Sequence, residues 1–127
     1  MKYIIKKAPS KLYHATLKSN LKSIKKYGLG AILDNRLWDY KNTIYDGDEL
    51  GVFLDADKEC AIDFVTASEK VWEDNPNFDE EKDIIVFEID TRKLDKTQIF
   101  EDYNTGPGYQ SFFYNGIIPF KDLKIIK

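Results

Sequence analysis

His14 is the only histidine of the chain and the first residue to consider for chemistry. It stands in the stretch "KLYHATLKSN", which reads as a short strand running into a helix. Strand alternation places Leu12, His14 and Thr16 on one face. An imidazole and a hydroxyl on the same face can hydrogen-bond a neutral ligand. The alternative is a structural histidine whose hydrogen bonds stay within the fold.

Two aromatic residues, Phe53 and Phe64, stand eleven positions apart in the stretch "GVFLDADKECAIDF". This stretch predicts a strand that ends at Asp55 or Asp57, either of which can cap the helix that follows. The apolar stripe of that helix continues to about Trp72. On this pattern alone, Phe53 and Phe64 are core residues of the strand and of the helix.

Gln110 and Ser111 begin a third stretch, "YQSFFYNGIIPFKDLKII", which predicts a strand, a break at Gly116 and a last strand. Both side chains can hydrogen-bond a ligand, but neither is acidic. Four acidic residues lie upstream of this stretch, and they are Asp48, Glu49, Glu101 and Asp102.

Composition excludes several function classes. The length of 127 residues fits a single domain spanning 1–127, and the net charge of −3 gives no general attraction to nucleic acid or anionic membrane. Arg36 and Arg92 are the only arginines, which disfavours bidentate phosphate clamps. One cysteine, Cys60, and one histidine exclude an internal disulfide and a Cys/His zinc site, and we predict no metal. With no apolar run long enough for a bilayer, we expect no membrane partner and a cytoplasmic protein.

The periodicity of the whole chain predicts an α+β fold with a predominantly antiparallel sheet. A first helix runs from Asn20 to Tyr27 and ends at Gly28, with Ser19 or Asn20 as the cap. Residues 30–50 are expected to form a long loop. The acidic run at 79–81 is expected to lie in a second, solvent-exposed loop. The predicted strands are "KYII", "KLYHA", "GVFLDAD", "IIVFEID" in a central position, "TQIFEDY", "YQSFFYN" and "DLKIIK".

Taken in order, the three stretches resemble the ADP-ribosyltransferase-fold family of poly(ADP-ribose) polymerases and diphtheria-type toxins. The stretch "LYHATLKSNLKSIKKYGL" is similar to the family's opening strand with His-x-Thr or His-x-Ser, its helix and its Gly-Leu. The resemblance implies that His14 and Thr16 bind the ribose and amide of the nicotinamide half of NAD. It implies that Phe53 and Phe64 sandwich the nicotinamide ring, where stacking and cation–π attraction contribute about 1–2 kcal/mol.

The third stretch resembles the family's closing strand pair, which usually begins with a catalytic glutamate. The register places Ser111 there, or Gln110 with a shift of one residue. Three resolutions follow from the departure. In the first, the fold serves binding only. In the second, another acid, Asp48, Glu49, Glu101 or Asp102, takes the place of the glutamate. In the third, the reaction needs no glutamate, as in the related RNA 2′-phosphotransferases, but this chain lacks the arginines and the second lobe of those enzymes.

The resemblance implies a split core of two small antiparallel sheets, with helices packed outside. The cleft between the sheets would be lined by His14, Thr16, Phe53, Phe64 and Gln110 or Ser111, with Tyr40 and Tyr45 on the loop above it. The function it implies is an NAD-dependent mono-ADP-ribosyltransferase-like activity on an unknown macromolecular target, more readily protein than nucleic acid. The alternatives are a catalytically inactive protein-binding module of the same fold, and an α+β domain in which His14 is structural. An RNA 2′-phosphotransferase-like activity ranks behind them.

Overall fold

A computed structural model describes residues 8–30, 52–101 and 111–127 of the chain. Several predictions concern residues outside these ranges: the strand "KYII", the loop with Tyr40 and Tyr45, Gln110, and the substitute acids Asp48, Glu49 and Asp102. The backbone of Glu101 is described but its side chain is not.

The described residues form one antiparallel sheet of six strands in the spatial order β4-β5-β2-β1-β3-β6. The predicted α+β class and the antiparallel pairing are confirmed. The strands are β1 (Lys11–Leu17), β2 (Val52–Asp55), β3 (Ile84–Asp90), β4 (Ile99–Glu101), β5 (Ser111–Tyr114) and β6 (Lys124–Ile125).

The prediction of two separate sheets is wrong, because the two halves are joined into one ladder. β1 pairs with β3 along its entire length, and β2 pairs with β5 along its entire length. Between β1 and β2, within the described ranges, the register joins Tyr13 to Asp55 alone. The sheet thus has two well-paired halves, β4-β5-β2 and β1-β3-β6. We call the junction at Tyr13, His14, Phe53 and Asp55 the seam.

Within the described ranges, four short α-helices accompany the sheet: α1 (Leu21–Tyr27), α2 (Lys58–Thr66), α3 (Glu69–Asp74) and α4 (Glu80–Asp83). The prediction for α1 is confirmed to within one residue, and Gly28 ends it with a positive φ of 88°. The acidic run beginning at Asp79 is not a loop as predicted. Asp79 accepts a hydrogen bond from the Glu81 amide at 2.9 Å and caps α4.

The predicted single helix running to Trp72 is also wrong. α2 ends at Thr66, and the extended backbone of Ser68 separates it from α3. Trp72 Nε1 donates to the Thr66 carbonyl at 2.7 Å and satisfies one of the carbonyls that a helix end leaves open. The apolar stripe is therefore continuous in sequence but divided between two helices.

The two longest helices lie on opposite faces of the sheet. Ile24 of α1 belongs to a core with Leu12 and Phe87, whereas Val65 of α2 belongs to one with Ala15. Full burial of a Val, Leu, Ile or Phe side chain stabilises a fold by about 1.5–3 kcal/mol. A third cluster joins Phe113 to Phe53 and Phe100, and strand alternation puts it on the α2 face. Among the helices of the described ranges, none is long and apolar enough to cross a bilayer.

Candidate functional site

His14 lies at the seam and is half-buried. Its Nδ1 is 2.7 Å from the carbonyl oxygen of Phe53, and because a carbonyl only accepts, Nδ1 is the donor. Nε2 is then the acceptor of the neutral ring. A continued register would set Ala15 opposite Phe53, so the imidazole reaches this carbonyl where the pairing of β1 and β2 stops. His14 therefore bonds the two halves of the sheet to each other.

Thr16 follows His14 on the same face of β1 and is buried. Its Oγ1 accepts a hydrogen bond from Asn20 Nδ2 at 3.0 Å. Asn20 occupies the N-cap position of α1, one of the two predicted, but its side chain makes no capping hydrogen bond to the helix. Thr16 instead links the end of β1 to the turn that starts α1.

The aromatic residues at the seam differ from the predicted pair. The rings of Phe53 and Phe113 lie 5.2 Å apart at 55°, and the residues face each other across β2 and β5. Phe64 is half-buried on α2, whose fully buried residues are Ala61, Ile62 and Val65. The stacking role of Phe53 and Phe64 together stays a prediction. Phe113 was missed, although it lies two residues beyond Ser111 in the same alternating strand.

Ser111 is the second predicted residue that the structure brings to β2. Its Oγ donates to Asp55 Oδ2 at 2.9 Å, and both side chains are buried. The other oxygen, Asp55 Oδ1, accepts from the Asp57 amide at 2.9 Å. Asp57, not Asp55, caps α2 through the Glu59 amide. The sequence interpretation considered Asp55 only as a cap, so it missed a buried carboxylate beside Ser111.

The carboxyl of Asp55 is in an unfavourable place for a charge. Desolvation by burial raises its pKa, and the nearby Asp57 charge adds to this effect. The hydrogen bonds from the Asp57 amide, Ser111 and the Ala56 amide oppose the rise. Among the described lysines and arginines, none forms an ion pair with Asp55. A buried carboxylate with no cation beside it costs stability when it is ionised.

The strand register orders these side chains into two rows on the α2 face. Tyr13, Asp55 and Ser111 face one another across β1, β2 and β5. Phe53 and Phe113 form the next row, about 7 Å along the strands. His14 lies by strand alternation on the opposite face of β1, with Leu12, and its imidazole reaches the backbone carbonyl of Phe53 where the pairing of β1 and β2 stops. We call the set of His14, Phe53, Asp55, Ser111 and Phe113 the seam site.

Two further features lie apart from the seam site. A cavity of about 390 Å³ opens between the end of β1 and helices α3 and α4, and it is lined by Leu17, Asn20, Val71 and Phe78 among others. Of the predicted site residues that the structure describes, none lines this cavity. In the part of the chain that the structure describes, no cluster of histidine, cysteine and acidic side chains could hold a metal ion.

Comparisons of the chain with protein-family models, with curated proteins and with solved structures give no match. The functional interpretation therefore rests on the residues and geometry of the seam site.

Proposed function

We propose that the chain is an NAD-binding protein of the ADP-ribosyltransferase type, which transfers ADP-ribose to a macromolecular target. The nicotinamide end of NAD binds at the seam site. One observation carries this proposal: His14 and Ser111, from separate stretches, bond to Phe53 and Asp55 on β2. The three stretches chosen for their resemblance to the family thus meet at one place.

The residues present fit the nicotinamide riboside half of NAD. His14 Nδ1 donates to the Phe53 carbonyl, and we assign the ribose hydroxyl to the other ring nitrogen, Nε2. The half-buried ring of Phe53 offers an aromatic face, backed by Phe113. The role of Thr16 toward the ribose stays a prediction, since strand alternation puts Thr16 on the face of the sheet opposite Phe53 and Asp55. When bound, NAD would supply ADP-ribose, with nicotinamide as the leaving group.

The second candidate function is a binding protein without turnover. The observation that favours it is the serine at the first position of β5, where the resemblance implies a glutamate. Ser111 has no charge with which to stabilise a developing cation. The two candidates share NAD binding and differ in whether nicotinamide is released.

Calorimetric titration with NAD tests the binding site. His14→Asn is the informative variant, since the Asn amide keeps a donor at the position of Nδ1 and lacks Nε2. We expect wild type to bind NAD saturably and His14→Asn to bind at least tenfold more weakly. Lys22→Ala, on the exposed side of α1, should bind as wild type does. Unchanged affinity in His14→Asn, or no binding to wild type at millimolar NAD, would contradict the proposal.

Nicotinamide release by the NAD-bound wild type separates the two candidates. Steady release, reduced in His14→Asn, supports transfer. Saturable binding with no release above the uncatalysed rate supports the binding protein. The assay needs no knowledge of the target, because water can accept ADP-ribose in its place.

A further inference from the structure

We propose that Asp55 is the cation-recognition group of the seam site, selecting a ligand whose flat ring beside Phe53 is positively charged. This role rests on the proposed function, and it assigns the missing negative charge to β2 instead of β5. The family resemblance does not imply it, since Asp55 is not at the position of the glutamate.

The hydrogen bonds of Asp55 hold the carboxylate without neutralising it. Its side chain is 2% exposed, and its two oxygens accept from the Ser111 hydroxyl and the Asp57 amide, which are neutral donors. No described lysine or arginine pairs with it. Asp55 is thus oriented by its neighbours and lacks a counter-charge within the described ranges.

The register puts this charge beside an aromatic surface. Asp55 and Phe53 are two residues apart on β2, so both side chains point to the same face, about 7 Å from each other. Ser111 and Phe113 repeat the arrangement on β5. A flat cation on the Phe53 ring gains attraction both from the ring and from the carboxylate. A neutral ring of the same shape can still stack on Phe53, but it lacks the two attractions that depend on a positive charge.

The surroundings of α2 reinforce the negative character of this region. The pKa of the Cys60 thiol is raised first by burial and then by the charges of Asp55, Asp57 and Asp63. These three carboxylates lie around the first turns of α2, and Lys58 there contacts Glu59 instead. The potential at the seam site therefore favours a cation.

NAD⁺ and NADH provide matched probes, because they differ mainly in the charge of the nicotinamide ring. We expect wild type to bind NAD⁺ roughly tenfold or more tightly than NADH. Asp55→Asn, which is isosteric, should bind the two with equal affinity while its NADH affinity stays near that of wild type. Asp57→Asn is the control: it removes an exposed charge two residues away and keeps the α2 cap, so the preference should remain.

A second pair of probes requires no variant and covers the case in which Asp55→Asn does not fold. Wild type should bind the 1-methylnicotinamide cation more tightly than neutral nicotinamide. Equal affinities within both pairs of probes would overturn the role of Asp55 and leave the proposed NAD binding standing. Absence of binding for all four probes would overturn both proposals. If Asp55→Asn still binds NAD⁺ more tightly than NADH, the positive charge is recognised by a residue other than Asp55.

Discussion

At the seam, His14 and Asp55 perform different physical tasks. The imidazole of His14 donates to a backbone carbonyl and so closes a gap in the ladder between β1 and β2. The carboxyl of Asp55 accepts two hydrogen bonds but stays buried and without a described cation. The first arrangement stabilises the fold, whereas the second costs stability whenever the carboxyl is ionised. A buried carboxyl with a raised pKa is a candidate for a functional role.

The stability cost of Asp55 can be measured as a function of pH. Burial raises the pKa of Asp55 above its ordinary value of 3.8, so the folded state favours the protonated form. The resulting stabilisation is complete below pH 3.8 and is lost as the pH rises through the folded-state pKa. In Asp55→Asn the amide oxygen can still accept from the Asp57 amide, and the amide nitrogen can donate to Ser111 Oγ, with no charge left to bury. The variant should therefore raise the melting temperature more at neutral pH than at about pH 4.

Thermal melts of wild type, Asp55→Asn and the control Asp57→Asn at both pH values check this expectation. The other groups that face Asp55 are Tyr13 on β1, Ser111 on β5, and Asp57 and Cys60 at α2. Asp57→Asn should show a smaller dependence, because that side chain is exposed. An Asp55→Asn shift that is equal at the two pH values would refute the assignment.

Among the elements, α1 is held in place at its C-terminal end. Gly28 adopts a positive φ of 88°, and its amide donates a hydrogen bond to the Ile24 carbonyl. The next residue, Leu29, pairs with Ile118. An added Cβ at Gly28 would stand 2.7 Å from Ile117 Cγ2 and 3.0 Å from the Ile118 carbonyl oxygen. The residue is therefore required both by its backbone conformation and by the close approach of the chain after β5.

Gly28→Ala should destabilise the protein by about 1–3 kcal/mol, since it combines backbone strain with a steric overlap. Urea unfolding measures the loss. Gly116→Ala is the matched control: its Cβ would meet the Tyr114 ring at 3.0 Å, and its φ is not positive. We expect a smaller loss there. Equal losses in the two variants would show that the positive φ of Gly28 contributes little.

For the molecule as a whole, the seam is the weakest line of backbone pairing in the described sheet. The β1-β3-β6 half and the β4-β5-β2 half each have continuous ladders and share the pair Tyr13 and Asp55. Separating the two halves breaks few backbone hydrogen bonds, whereas separating β1 from β3, or β2 from β5, breaks many. The bond from His14 to Phe53 therefore matters more than a single hydrogen bond inside a ladder would.

His14→Ala should loosen the seam without unfolding either half. The loss of about 1 kcal/mol for one hydrogen bond predicts roughly fivefold faster hydrogen exchange at the β2 amides facing β1. Amides of β3, such as Phe87, should keep their protection. His14→Asn, which retains the donor, should exchange like wild type. Uniform acceleration across both halves would instead indicate global destabilisation.

Local sequence accounts for the features that depend on nearest neighbours along the chain. Gly28 ends α1 because glycine tolerates a positive φ, and the apolar run of "IIVFEID" forms β3 because both its faces are buried. His14 and Thr16 were candidates because their types and alternation are visible in one dimension, whereas Phe53 and Ser111 were chosen by their positions in the stretches that resemble the family. The order of the three stretches also anticipated their meeting.

Strand order decided the rest, since it brings together residues that no local pattern relates. Asp55 and Ser111 are 56 positions apart, and only the pairing of β2 with β5 makes the carboxyl accept the hydroxyl. The same pairing gives Phe53 the ring of Phe113 as its neighbour. Whether the halves form two sheets or one depends on a single pair, Tyr13 with Asp55. Such long-range contacts are chosen by the packing free energy of the entire chain, which periodicity in one stretch does not contain.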